Sequence, residues 1–158
     1  MSRVDFSQEE HKEHTKIKEI LAQTQLIEQI VQMLDKFQGM VRTCFKGNAF
    51  FERQRQAAFE AFLSKEGAVE KDKISMSEIL AIFTDIVLRK GGMKNLQEGF
   101  QQEEFLKSIV QLFTHLIDKD LFIEVYRSYL AKRILNEKSQ SMDLERSMIS
   151  FIKMSCGP

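Results

Sequence analysis

The chain has almost nothing that stops a helix. Its single proline, Pro158, is the final residue, and glycine occurs only seven times in 158 residues. Helices can therefore run long without losing a backbone donor or meeting a flexible break. Net charge is absent as well: 23 basic side chains balance 23 acidic ones, which argues against a dedicated nucleic-acid binder, normally basic. No uninterrupted apolar run approaches the ~18 residues of a membrane span. The start, MSRVDFSQEEHKEH, is polar and acidic, neither a secretory h-region nor a transit peptide. The expectation is a cytoplasmic or nuclear protein with no membrane or nucleic-acid partner. There are only two cysteines, Cys44 and Cys156, both inside helical patterns and far apart. That predicts two buried thiols in a reducing compartment rather than a disulfide. Strand signals and repeats of fixed period are missing too.

What is present is helical periodicity. Hydrophobic residues make up 43% and charged residues 29% of the chain, ordinary for a globular protein with a core. Residues 1–23 are charged and weakly periodic, a polar leading segment. From Gln25 the residues Ile27, Ile30, Leu34, Phe37, Val41 and Cys44 step by three and four along one helix face. Gly47 and Asn48 read as a stop followed by a start. The next helix spans about 49–64 and is expected to bury Phe51, Ala58, Phe59 and Phe62. Residues 65–73, KEGAVEKDK, are the one long polar break and the candidate boundary between two packing units, 24–70 and 71–158. Ser75 and Glu78 form a capping box before an apolar run carrying Ile79, Leu80, Phe83, Ile86 and Val87. That run stops at Gly91 and Gly92, and a loop from Met93 to about Glu98 follows. A further helix is expected to bury Phe105, Leu106, Ile109, Val110, Phe113, Leu116 and Ile117. Then comes a helix with Phe122, Val125, Tyr126, Tyr129, Leu130 and Ile134 inward. The last begins near Ser141, has Asp143 and Glu145 in its first turn, and buries Leu144, Met148, Ile149 and Ile152. The reading is all-α, about six antiparallel-packed amphipathic helices.

Chemistry-bearing constellations are sparse. Asp118 and Asp120 occupy the first and third places of a calcium loop, but places 5, 6 and 12 hold Phe122, Ile123 and Tyr129, which lack the required oxygen, glycine and glutamate. Helix capping is the better role for Asp118 and its neighbour. His11 and His14 lie three apart, yet only His115 exists besides them, too few for a zinc site. Cys44 with His115 has no third orienting group and no flanking motif for nucleophilic catalysis. No glycine-rich phosphate loop surrounds Gly91 and Gly92. The sequence therefore predicts no catalytic residue, no cofactor and no metal. Arg89, Lys90 and Lys94 gather near one helix C-terminus, with Lys132 and Arg133 on another helix. They read either as solvated helix ends or as a surface that captures an acidic partner.

The identities in residues 118–157, DKDLFIEVYRSYLAKRILNEKSQSMDLERSMISFIKMSCG, carry more than periodicity. Asp118, Lys119, Asp120, Phe122, Tyr126, Leu130, Ala131, Lys132 and Arg133, then Ser141, Asp143, Glu145, Met148, Ile149, Cys156 and Gly157, resemble the signature of the cullin family. Residues 44–67 are similar to the family's helix pair that closes the last N-terminal cullin repeat. Residues 77–92, SEILAIFTDIVLRKGG, are similar to the next family helix, with Phe83 in place of tyrosine. The flavour is nearest to cullin-1-like members. The resemblance implies a non-catalytic scaffold of multi-subunit RING-type ubiquitin ligases, acting in ubiquitin-dependent protein catabolism and binding other ligase subunits. It places residues 24–70 at the end of the N-terminal repeats and 71–158 at the opening helices of the four-helix bundle. It also implies a partial chain, lacking the family's adaptor-binding and RING-box-binding regions and ending where the family continues. Without those neighbours, apolar faces at Phe151, Ile152 and along residues 27–45 are expected to be exposed. In relatives a basic groove receives the acidic tail of a ubiquitin-conjugating enzyme, which would assign that role here to Arg89, Lys90 and Lys94. A fragment without assembly competence and a generic helical interaction module remain the alternatives.

Overall fold

A computed structural model describes the backbone of residues 6–67, 74–92 and 102–156, with side chains from residue 25 to 64 and throughout the latter two stretches. Within them lie six helices: α1 (Phe6–Cys44), α2 (Ala49–Gly67), α3 (Met76–Leu88), α4 (Gln102–Thr114), α5 (Lys119–Leu135) and α6 (Met142–Cys156). The described residues form no strand, only an isolated antiparallel bridge between Arg89 and Ser139. The expectation of an all-α chain of packed helices holds. The side chains of residues 1–23, residues 68–73 of the expected polar break and the loop from Met93 lie outside the described residues, while α2 runs past the expected end at 64 as far as Gly67.

The helix starts follow the local chemistry. At α3, Ser75 Oγ accepts from Glu78 N at 3.2 Å while Ser75 N donates to the Glu78 carboxylate at 3.0 Å, so two orphan donors are satisfied reciprocally. Asp118 caps α5 by accepting from Leu121 N, and Asn48 accepts from Phe50 N at the start of α2. Ser77 Oγ donates to Asp118 O at 2.7 Å, which ties the start of α3 to the start of α5.

Packing centres on α3 against α5 and α4 against α6, with α1 lying against α3 and α4. Nearly every side of α3 is covered, including Leu80, Ala81, Phe83, Val87 and Leu88. An aromatic line runs from Phe113 to Phe122 at 4.9 Å and on to Tyr126 at 5.8 Å. Each fully buried side chain of this size contributes about 1.5–3 kcal/mol relative to exposure. Ser108 Oγ donates to both carboxylate oxygens of Asp35, adding a polar link between α4 and α1. The buried surroundings of Asp35 raise its pKa despite that hydrogen bond.

Several expected core positions face outward. On α1 the stripe holds at Ile27, Ile30, Leu34 and Val41, but Phe37 is 44% exposed and Cys44 is at the surface. Both lie where only α2 is left to cover the helix. Among the described side chains of α2 only Phe59 and Leu63 are buried; Phe51, Ala58 and Phe62 are exposed. Cys156 is also exposed, in the last turn of α6, so neither thiol is a core residue. Ile117 is 76% exposed because α4 has already ended at Thr114. In the opposite sense, Ile152 is 8% exposed and Phe151 packs against the core. α4 covers that end of α6, so the apolar face expected there is closed.

Candidate functional site

The centre of the α3–α5–α6 block is a charge, not a hydrocarbon. Arg133 on α5 is the largest fully buried side chain. It stands seven residues after Tyr126 and eleven after Phe122, two and three helical turns on, so it continues their inward stripe. Ile134, expected in that stripe, is 39% exposed. The guanidinium makes a two-bond fork onto Glu145 of α6, Nε to Oε1 at 2.6 Å and Nη2 to Oε2 at 2.8 Å. Its Nη1 donates to Asp85 Oδ1 of α3 at 2.5 Å. Asp85 Oδ2 accepts in turn from Arg89 Nε at 2.8 Å, and Ser139 Oγ donates to Glu145 Oε1 at 2.7 Å.

Two cations and two anions thus form a closed set. Planar arginine suits it, since the fork matches a carboxylate and cannot lose its proton. Burial alone would lower the Arg133 pKa; the hydrogen bonds it donates to Glu145 and Asp85, with their charges, outweigh it and hold the value above its usual range. Tyr126 lies beneath the guanidinium at 6.0 Å from ring centre to Cζ. Burial, with the Glu145 charge, pushes the Tyr126 phenol well above its ordinary range. Removing one charge from such a set leaves its partner buried and unpaired, which costs several kcal/mol.

Backbone bonds lock the same corner. Lys90 N donates to Lys138 O at 3.0 Å and Gln140 N donates to Leu88 O at 2.9 Å. The end of α3 is thereby stitched to the α5–α6 turn. Gly91 has φ +81°, a left-handed conformation that glycine adopts without strain. A Cβ on Gly92 would stand 1.9 Å from the Ile86 carbonyl oxygen, so the chain can pass back over α3 only with glycine there.

The stitch brings together some of the cations read from the sequence and separates another. Lys90, Lys132 and Lys138 are exposed near this corner, with Lys132 Nζ over the Tyr129 ring at 5.8 Å. Arg89 is partly exposed, 43% for its side chain, while bonded to Asp85. Arg133 presents no charge to the surface; its guanidinium is directed entirely inward. Lys94 lies outside the described residues. Among the signature positions, Phe122, Tyr126 and Met148 are buried, Leu130 and Ile149 pack against the core, and Ala131 and Cys156 are exposed. Gly157 lies outside the described residues.

In the sequence Arg133 and Glu145 stand as separate signature identities, and nothing local shows that they meet. The available signal was a charge standing on an apolar stripe, with a carboxylate at the start of the following helix. Among the described residues no group of three or more potential metal ligands comes together. No described helix is long and apolar enough to cross a membrane.

Residues 4–158 match the family description "Cullin alpha solenoid domain". Cullin-1 of Oryza sativa subsp. japonica is 37% identical over 131 residues, covering 83% of this chain and 17% of the relative. Cullin-2 of Arabidopsis thaliana is 34% identical over 132 residues, with 84% and 17% covered. Cullin-1 of Schizosaccharomyces pombe is 35% identical over 118 residues, with 75% and 15% covered. The chain therefore spans about one sixth of the length of these relatives. The match runs through the α3, α5 and α6 residues that build the buried charge set, and the chain belongs to the cullin family.

Proposed function

We propose that this chain is a non-catalytic scaffold segment of a multi-subunit RING-type ubiquitin ligase, holding distant subunits at a fixed separation in ubiquitin-dependent protein catabolism. The observation that carries the reading is the Arg133 fork to Glu145 with its further bond to Asp85. It ties three helices into one unit with no solvent-facing chemistry, which suits a spacer. In this reading residues 24–70 close the N-terminal repeats and 71–158 open the four-helix bundle, with the polar stretch 65–73 as the joint. The chain works in the cytoplasm or nucleus, and its partners are proteins.

The exposed cations Lys90, Lys132 and Lys138, with the partly exposed Arg89, form the surface for the acidic tail of a ubiquitin-conjugating enzyme, and Lys94 is assigned to it from the sequence alone. Several cations in one place raise the local concentration and on-rate of an acidic segment. The test is a pull-down with adaptor, RING-box protein and ubiquitin-conjugating enzyme as separate prey. The expected result is retention of the conjugating enzyme at low salt, lost at high salt because exposed charges are screened. Lys90→Glu with Lys132→Glu should abolish retention; Arg89→Glu is a poorer probe because Arg89 also holds Asp85. Salt-insensitive retention, or retention by the double variant, contradicts the basic-surface part. Failure to bind any of the three contradicts the scaffold reading.

A further inference from the structure

The hairpin of α1 and α2 meets the other four helices through a narrow contact, and a histidine stands in it. Phe59 and Leu63 are the buried members among the described side chains of α2, which lies against α1 and α3. Phe59 acts as a wedge: it meets Phe37 of α1 edge-on at 6.3 Å and the His115 ring at 5.8 Å. Leu63 borders an open cleft of about 270 Å³ that Met76, Leu116 and Ile117 also line. The end of α2 is therefore incompletely packed. An element held by few apolar contacts opens locally at lower cost than the whole molecule.

His115 lies in the turn between α4 and α5 and is 6% exposed. Its Nδ1 stands 2.7 Å from Gln111 O. A carbonyl only accepts, so Nδ1 carries the proton of the neutral ring and Nε2 holds the lone pair. Nε2 is buried and has no hydrogen-bond partner among the described residues. A proton placed there would make a buried N–H without an acceptor, and a buried charge with it. The charged neighbours do not welcome that proton. Arg55 of α2 and Lys119 of α5 oppose the imidazolium, while Glu60 of α2 favours it. Glu60 is exposed and already accepts from Gln56 at 3.0 Å. Glu52 of α2 also feels the ring, but it is bound to Arg55, which holds its carboxyl below the usual range. The α4 groups beside the ring, Gln111 and Thr114, carry no charge.

We propose that His115 is a proton-operated latch for α2: the neutral ring seats Phe59 and holds α2 down, and a proton on Nε2 releases α2 while α3–α6 stay packed. The two events separate because the four helices have their own core and the Arg133 charge set, none of whose hydrogen bonds involves His115. Once α2 lifts, the ring meets water and takes up its proton near pH ~6.5. In the closed state burial, the largest influence, holds its value lower. The latch is thus closed above pH ~6.5 and weakens as pH falls toward the closed-state value, the open population growing by at most about tenfold per pH unit. This device is independent of the ligase reading.

The test uses the intact chain and amide hydrogen exchange read residue by residue by NMR, at pH 7.5 and 5.5, corrected for the intrinsic pH dependence of exchange. The amides of Phe59 and Leu63 should lose protection by about threefold or more relative to those of Phe122 and Met148. The His115 ring should titrate below pH ~6.5 in the same samples. His115→Gln, which cannot take the proton, should hold the change below about 1.5-fold. Arg55→Gln tests the latch with the ring intact. It removes an opposing cation and frees Glu52, so His115 should titrate higher and the loss of protection should shrink. Equal loss in α2 and in α3–α6, no loss in α2, a loss that persists in His115→Gln, or an unchanged His115 titration in Arg55→Gln would each overturn the proposal.

Discussion

The α3–α6 block and the α1–α2 hairpin are built from similar residues and treat them in opposite ways. In the block, Phe83, Phe105, Phe113 and Phe122 are all buried, and even an arginine is drawn inside and neutralised. In the hairpin, Phe37, Phe45, Phe50, Phe51 and Phe62 are exposed between 37% and 61%. The block has four helices to cover one another; beyond the body of the block, the hairpin has two, and two helices cannot enclose each other's apolar faces. Apolar residues at helical spacing show that a face wants covering, while neighbours decide whether it is covered. The block finds its neighbours within the chain, and the hairpin turns its apolar face outward.

Removing the buried cation attacks this contrast most severely. Arg133→Ala leaves buried Glu145 without its counter-charge and Asp85 with Arg89 alone, and should cost about 3–5 kcal/mol in urea unfolding. Arg133→Lys should recover only part, since an ammonium cannot make the fork. A matched pair of aromatic truncations sharpens it further. Phe122→Ala should cost about 3–5 kcal/mol, whereas Phe50→Ala, at 61% exposure, should stay within about 0.5 kcal/mol. Equal costs would erase the distinction between the two regions.

The joint between hairpin and block has its own sensitivity to pH. His115 lies buried against the Phe59 ring at 5.8 Å, with Nδ1 bonded to Gln111 O and Nε2 buried without a partner. Arg55 and Glu60 from α2 and Lys119 from α5 act on it, and burial is the main reason its pKa is lowered. The neutral imidazole is therefore the folded form, while the unfolded chain takes up the proton near pH ~6.5. Stability is full above that value and falls as pH drops through it toward the lower folded value, by at most about 1.4 kcal/mol per pH unit. Urea midpoints at pH 7.5 and 5.5 should show the decline, and His115→Gln should flatten it. Smaller still, Ser75→Ala should cost about 1 kcal/mol through the lost cap, read as the same midpoint shift at neutral pH.

The sequence was legible where the cause is local. The Ser75–Glu78 capping box, the Asn48 cap and the Asp118 cap all formed where side-chain chemistry alone demands them. Periodicity likewise located the inward faces of α4 and α6. It failed where the outcome depends on another element. Arg133 reads as a solvated cation unless Asp85 and Glu145, 48 and 12 residues away, are known to converge on it. Phe51 and Phe62 read as core unless one knows that no other described element covers that side of α2. Cys44 and Cys156 read as buried for the same reason, yet each ends a helix where no other described element covers it.

Hydrogen–deuterium exchange across α3, α5 and α6, in the parent chain and in Arg133→Ala, tests the buried charge set most directly. If Arg133 binds the three helices into one unit, their slowest amides open together in the parent chain and lose protection together in the variant. Protection that survives in α3 and α5 of Arg133→Ala, or an α6 that already exchanges ahead of them in the parent, would show that the helices are held by other means.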